Sequence, residues 1–223
     1  MKAVLFDLDD TLYPERSFVH SGFRAVARHL ARTVSLREED LFRRMMAVLE
    51  REGRGKVFDI VLHDLGHDRP DLVPALVHVY RTHRPAIRLF DDVEPGLRRL
   101  RQEELLLGVV TDGLASVQRN KIGALNLEAL VDTIVCTDEV GRGEGKPSVA
   151  PFRTALERLQ VEPSEAAYVG DDPAKDFQGP RELGMRTVHM YRKGLSGRLA
   201  QEEGGKVDLR VESLEELVTK LGT

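Results

Sequence analysis

The stretch Ala3-Val4-Leu5-Phe6-Asp7-Leu8-Asp9-Asp10-Thr11-Leu12-Tyr13 decides the fold. Four apolar residues without polar alternation read as a strand buried on both faces, the kind found in parallel sheets. The run stops abruptly on acids. Similar apolar runs recur at 105–110, 133–136, 166–169 and 186–190, with a weaker one at 207–211. Segments of helical period separate them at 94–102, 115–125, 148–159 and 174–183, and a last helix is expected over 213–221. This alternation predicts an α/β fold, a Rossmann-like doubly wound parallel sheet with helices on both faces.

One stretch breaks the alternation. Residues 14–88 show only helical stripes, such as Val19, Phe23, Val26 and Leu30, then Leu41, Met45, Val48 and Leu49. Breaks fall at Gly53, Gly55, Gly66 and Pro70. The predicted organisation is therefore an α/β core made of 1–13 and 89–223, with an inserted helical domain over 14–88.

Composition bounds the function. The 223 residues can bury a substantial core, and 33 bases against 37 acids leave a net charge of −4. That balance gives no electrostatic reason to expect a nucleic-acid polymer or an anionic membrane as partner. No apolar run approaches the roughly 20 residues that span a bilayer. The N-terminus does not read as a signal peptide, since Asp7 interrupts its apolar run. The single cysteine, Cys136, excludes an internal disulfide framework and a cysteine-built zinc site. A cytoplasmic protein, monomer or homodimer, is the expectation.

In open parallel sheets ligands bind beyond the carboxyl ends of the strands, so the residues just past each apolar run carry the chemistry. The first run delivers Asp7 and Asp9, two apart, on the same side of an extended chain. The second leads into Thr111-Asp112-Gly113, and the fourth into Gly170-Asp171-Asp172-Pro173-Ala174-Lys175-Asp176. Gly145-Lys146-Pro147-Ser148 precedes the third core helix. Each signal alone reads as a turn or a helix cap. Together, in order at successive strand ends, they bring Asp7, Asp9, Asp171, Asp172 and Asp176 to one edge with Lys146. At about 4 Å and an effective dielectric near 20, each like-charge pair costs roughly 4 kcal/mol. Five carboxylates need more than one lysine. Oxygen donors without His or Cys point to Mg²⁺ as the compensating cation.

With DLDDTLY (7–13), TDG (111–113), GKPS (145–148) and GDDPAKD (170–176), the chain resembles the haloacid dehalogenase-like hydrolases, and among them the aspartate-based phosphatases. The helical insertion is similar to that family's cap, which implies closure over a small phosphorylated metabolite. The resemblance implies Asp7 as nucleophile, forming an aspartyl-phosphate, and Asp9 as acid and then base. It implies Thr111 with the N–H groups of Asp112 and Gly113 as phosphate holders, and Lys146 as the charge that neutralises both Asp7 and phosphate. Mg²⁺ would be held by Asp7, the Asp9 carbonyl and Asp171, with Asp172 and Asp176 supporting from behind. An acid at Asp9 argues against dehalogenation, since only an oxygen leaving group needs its proton. TDGLASVQRNKIGAL (111–125) further resembles a branch of nucleotidases and sugar-phosphate phosphatases, which makes a nucleoside monophosphate the first candidate substrate and sugar phosphates the second.

Three other readings stand beside it: a phosphomutase on the same scaffold, a phospho-accepting module similar to receiver domains, and a catalytically idle binding protein. His63-Asp64-Leu65-Gly66-His67 imitates a zinc-protease spacing without its glutamate, and Gly141–Lys146 lacks the residues of a nucleotide-binding loop. Arg24, Arg28 and Arg32 read as a solvated helix face, and Cys136 as a small buried hydrophobe.

Overall fold

The computed structural model describes residues 1–67, 69–141, 143–193 and 207–221. They divide into two compact units, one built from 1–15 with 88–223 and the other from 16–87. In the first unit β1 (Ala3–Phe6), β2 (Leu106–Thr111), β3 (Thr133–Cys136), β4 (Ala166–Gly170), β5 (Arg186–Met190) and β6 (Leu209–Val211) form one sheet. Its order is β3-β2-β1-β4-β5-β6 and every pairing is parallel. The chain is therefore a doubly wound α/β protein, whose strand order reverses beside β1. All four residues of β1 are buried, as an apolar run between two helical layers requires.

The helices of this unit are α5 (Val93–Gln102), α6 (Ala115–Ala124), α7 (Thr137–Val140), α8 (Ala150–Leu159), α9 (Gln178–Leu183) and α10 (Leu214–Leu221). They continue the numbering of the other unit, whose longer described elements are all helices: α1 (Glu15–Leu30), α2 (Glu38–Glu52), α3 (Val57–Asp64) and α4 (Val73–Thr82). That unit has its own core, with Val19, Phe23, Val26, Leu41, Met45, Val61 and Leu76 packed together. Arg24 and Arg28 lie on its outside, paired with Glu39 at 3.1 Å and Glu38 at 3.4 Å, and His63 and His67 are both exposed.

Two local differences from the sequence reading have physical causes. The helix expected from residue 174 starts at Gln178, because side chains in 171–176 bond to the backbone and hold a loop. Asp172 Oδ1 accepts the Ala174 N–H at 3.1 Å, and Asp176 Oδ2 accepts the Asp172 N–H at 2.9 Å. A short helix, α7, follows Cys136 directly where no helical period was readable. Asp138 at its start accepts the Ala115 N–H at 2.9 Å, which ties it to α6.

Arg192, just beyond β5, staples this unit. Its guanidinium donates to both carboxylate oxygens of Asp92 at 2.7 and 2.8 Å and to the Thr11 carbonyl at 3.0 and 3.2 Å. Asp92 also accepts the Leu214 N–H at 2.7 Å, so one carboxylate joins the starts of α5 and α10 to the segment after β1. Asp92→Ala leaves a buried guanidinium and an amide without their acceptor. We expect it to cost about 3 kcal/mol of unfolding free energy, read from urea denaturation; a change under about 0.5 kcal/mol would show the staple to be ornamental.

Candidate active site

Asp7 follows the last residue of β1, and its N–H donates to Val169 of the neighbouring β4 at 2.8 Å. Asp171 follows β4. These two positions flank the crevice where the strand order reverses, the place at which an open sheet leaves room for a ligand. Thr111 ends β2 on the other side of β1.

Lys146 lies at the centre. Its ammonium is fully buried and donates to Asp7 Oδ1, to the Tyr168 hydroxyl at 2.6 Å and to Asp176 Oδ1 at 2.9 Å. All three of its protons are thereby used. Burial pushes its pKa down, but Asp176 and Asp7 outweigh burial and hold it well above the ordinary lysine value. Asp176 comes this close because Gly170 has no side chain: a Cβ there would sit 2.4 Å from Asp176 Oδ2.

Burial pushes the Asp7 carboxyl up to about 7, although Lys146 pulls the other way. Its Oδ2 is buried with no hydrogen-bond partner among the described residues, an arrangement that costs free energy unless something else approaches it. Asp171 is pushed up to about 8 by burial and by the facing Asp7. Carboxylate oxygens of Asp7, Asp171 and Asp176 lie within 4.8 Å of one another. Such a group of hard oxygen donors can hold a metal ion. Both Asp176 oxygens already accept bonds, from Lys146 and from the Asp172 amide, so Asp7 and Asp171 are the freer donors.

The Asp9 side chain stands apart from that group. Lys121 Nζ reaches its two oxygens at 2.7 and 2.8 Å, Gln118 Nε2 reaches Oδ2 at 3.1 Å, and the Tyr13 hydroxyl donates to Oδ1. Burial pushes Asp9 up, but Lys121 and the bonds from Lys121, Tyr13 and Gln118 prevail and hold it below the usual carboxylate range. The chain makes Tyr13 available by a tight turn in which Asp10 adopts a left-handed φ of 54° and the Leu12 N–H bonds back to the Leu8 carbonyl at 3.0 Å.

Thr111 is 1% exposed, and its hydroxyl accepts from Gln118 Nε2. Asp112 Oδ1 accepts the Lys146 N–H at 3.1 Å, which fixes the two loops together, and Gly113 has a φ of 120° that disfavours any side chain. Asp172 shapes its own loop through Ala174 and lies 4.0 Å from Lys175.

Sequence reading passed over Lys121, Gln118, Tyr13 as a hydrogen-bond donor, and Tyr168. A signal existed for the first two. They stand three apart on α6, on a face where a core-packing helix carries apolar residues.

A parallel sheet carrying acids, a hydroxyl and a lysine around its switch point places the chain among doubly wound α/β proteins with a polar site at the strand ends. The chain belongs to the haloacid dehalogenase-like hydrolase family, whose sequence pattern matches residues 4–190. A glyceraldehyde 3-phosphate phosphatase of Methanopyrus kandleri is 37% identical over 199 residues, which span 86% of this chain and 84% of the relative. A phosphoserine phosphatase of Thermus thermophilus is 29% identical over 97% of this chain and 98% of its own. Among solved structures, a HAD phosphatase from Thermococcus onnurineus superposes with a TM-score of 0.64 at 28% identity, covering 100% of this chain and 98% of that one. With these relatives the chain stands among the family's phosphatases, enzymes that hydrolyse phosphomonoesters.

Proposed function

We propose that the chain is a Mg²⁺-dependent phosphatase of a three-carbon phosphomonoester, working through an aspartyl-phosphate on Asp7. The observation that carries this reading is the buried Oδ2 of Asp7, without a hydrogen-bond partner among the described residues, whose other oxygen is held by Lys146. It is a carboxylate oxygen fixed at a strand end with one lone-pair face left open, which is what an in-line nucleophile requires once a cation beside it keeps it ionised. Asp7 and Asp171 would hold Mg²⁺, with the Asp9 carbonyl as a further oxygen. When bound, the cation supplies positive charge between an anionic nucleophile and an anionic substrate.

The chain's own residues account for the remaining steps. Thr111 accepts from Gln118, so its own proton remains for a phosphoryl oxygen, beside the N–H groups of Asp112 and Gly113. Lys146 keeps Asp7 oriented and offsets charge as the Asp7–phosphorus bond forms and the bond to the leaving oxygen breaks. Asp9, ionised in the free enzyme, takes the proton of a phosphate monoanion as it binds and passes it to that oxygen, then accepts one from the water that attacks phosphorus and frees Asp7. Asp172 and Asp176 hold the loop that carries Asp171, and Asp176 also holds Lys146.

The choice of substrate rests on the relatives. Glyceraldehyde 3-phosphate and phosphoserine each carry phosphate on a three-carbon skeleton, and this moves the reading away from nucleotides. The test is phosphate release from these two and from a nucleoside monophosphate, with Mg²⁺ and after chelation. A three-carbon phosphate should exceed the nucleotide in kcat/KM by about tenfold or more. Chelation should slow turnover by roughly 100-fold, reversed by Mg²⁺. A phosphoprotein that persists without turnover would overturn the reading in favour of a phospho-accepting module.

A further inference from the structure

Asp9 is gripped by residues that no step of that reaction employs directly on Asp9. Lys121 reaches both of its oxygens at 2.7 and 2.8 Å, Gln118 reaches Oδ2 at 3.1 Å, and Tyr13 donates to Oδ1. The three are 4%, 2% and 0% exposed. Burying a lysine and an amide on one helix face is costly unless they are matched to partners. Here they are matched to one carboxylate and, through the same Gln118 amide, to the Thr111 hydroxyl. Ile122, next along α6, shows what a position with only a packing role carries: an apolar side chain, fully buried.

A carboxylate at a half-open site would otherwise sample several rotamers, and proton transfer tolerates little misplacement. We infer that Lys121 and Gln118 are positioning residues for Asp9, fixing its carboxylate and tying it to Thr111 so that the proton donor and the phosphate-binding hydroxyl form one rigid unit. This rests on the reading of Asp9 as the group that protonates the leaving oxygen.

The leaving group provides the test. An alkoxide must be protonated as it departs, whereas p-nitrophenolate departs with little help. The quantity kcat/KM covers events only through phosphoryl transfer to Asp7, so it isolates that departure from the later attack of water. It should be measured for glyceraldehyde 3-phosphate and p-nitrophenyl phosphate in wild type, Asp9→Asn, Lys121→Met and the double variant. Lys121→Met should lower kcat/KM on the alkyl phosphate by about 100-fold and on the aryl phosphate by only about threefold. In the Asp9→Asn background it should cost almost nothing more, because its effect runs through Asp9. Equal losses on the two substrates, or the same loss with and without Asp9, would overturn the inference and make Lys121 a structural or phosphate-binding residue. Should Lys121→Met melt far below wild type, Gln118→Leu carries the comparison through the ratio of the two substrates: its loss at Thr111 falls on both alike, and the additional loss on the alkyl phosphate should vanish in the Asp9→Asn background. Asp9→Asn by itself tests the underlying reading: if it spares the alkyl phosphate, Asp9 is not the proton donor and the inference falls with it.

Discussion

Asp7→Asn is expected to lower phosphate release by a factor on the order of 10⁴ or more and to abolish the acid-stable phosphoenzyme altogether. The amide is nearly isosteric but offers no anionic oxygen for phosphorus. The structure makes this a clean substitution. Lys146 retains Asp176 at 2.9 Å and the Tyr168 hydroxyl at 2.6 Å, so its charge stays partnered. The variant should therefore melt close to wild type. Rapid-quench capture of labelled protein, set beside steady-state phosphate release, checks both halves. Turnover by Asp7→Asn at the wild-type rate would exclude a covalent route through this residue, and a water attacking phosphorus directly would have to take its place.

The second large effect is expected at Lys146. Replacing it by Met keeps the length of the stem and removes the charge that sits between Asp7 and Asp176. Two buried carboxylates then face each other without the ammonium that both of them accepted. Breaking a buried pair in this way costs about 3–5 kcal/mol, which urea denaturation would register. Turnover should fall by a factor on the order of 10³, because the nucleophile loses both its orientation and its compensating charge. The two losses are separable. Adding Asp176→Asn to Lys146→Met removes one of the opposed carboxylates and should recover part of the stability while leaving turnover as low as before. Recovery of turnover along with stability would mean that Lys146 serves the fold alone.

Much of this was legible in the linear chain. The run Ala3–Phe6 read as a strand buried on both faces, as it is, and its abrupt end on Asp7 marked the edge where the candidate site was expected. The same logic placed Thr111, Lys146 and Asp171 at one edge, since each follows an apolar run or opens a helix in an alternating α/β pattern. The start of α9 was less legible. Helical period from residue 174 was overridden by Asp172 and Asp176, which bond to backbone amides and hold the loop open.

The partners of Asp7 and Asp9 were less legible. Lys121 and Gln118 are more than 100 residues from Asp9 in the chain; their spacing marks one face of α6, but it does not say which carboxylate that face meets. Tyr168 reads as one more apolar position in a buried strand, yet its hydroxyl receives Lys146 at 2.6 Å. The sequence by itself determined which elements form and which residues stand at their ends, because hydrophobic period and turn chemistry are local. Only the tertiary structure decided which cation serves which carboxylate: Lys146 serves Asp7 and Asp176, and Lys121 serves Asp9. The physical reason is that a charge pair depends on separations of a few ångströms, and those are set by how strands stack and how helices rotate against them.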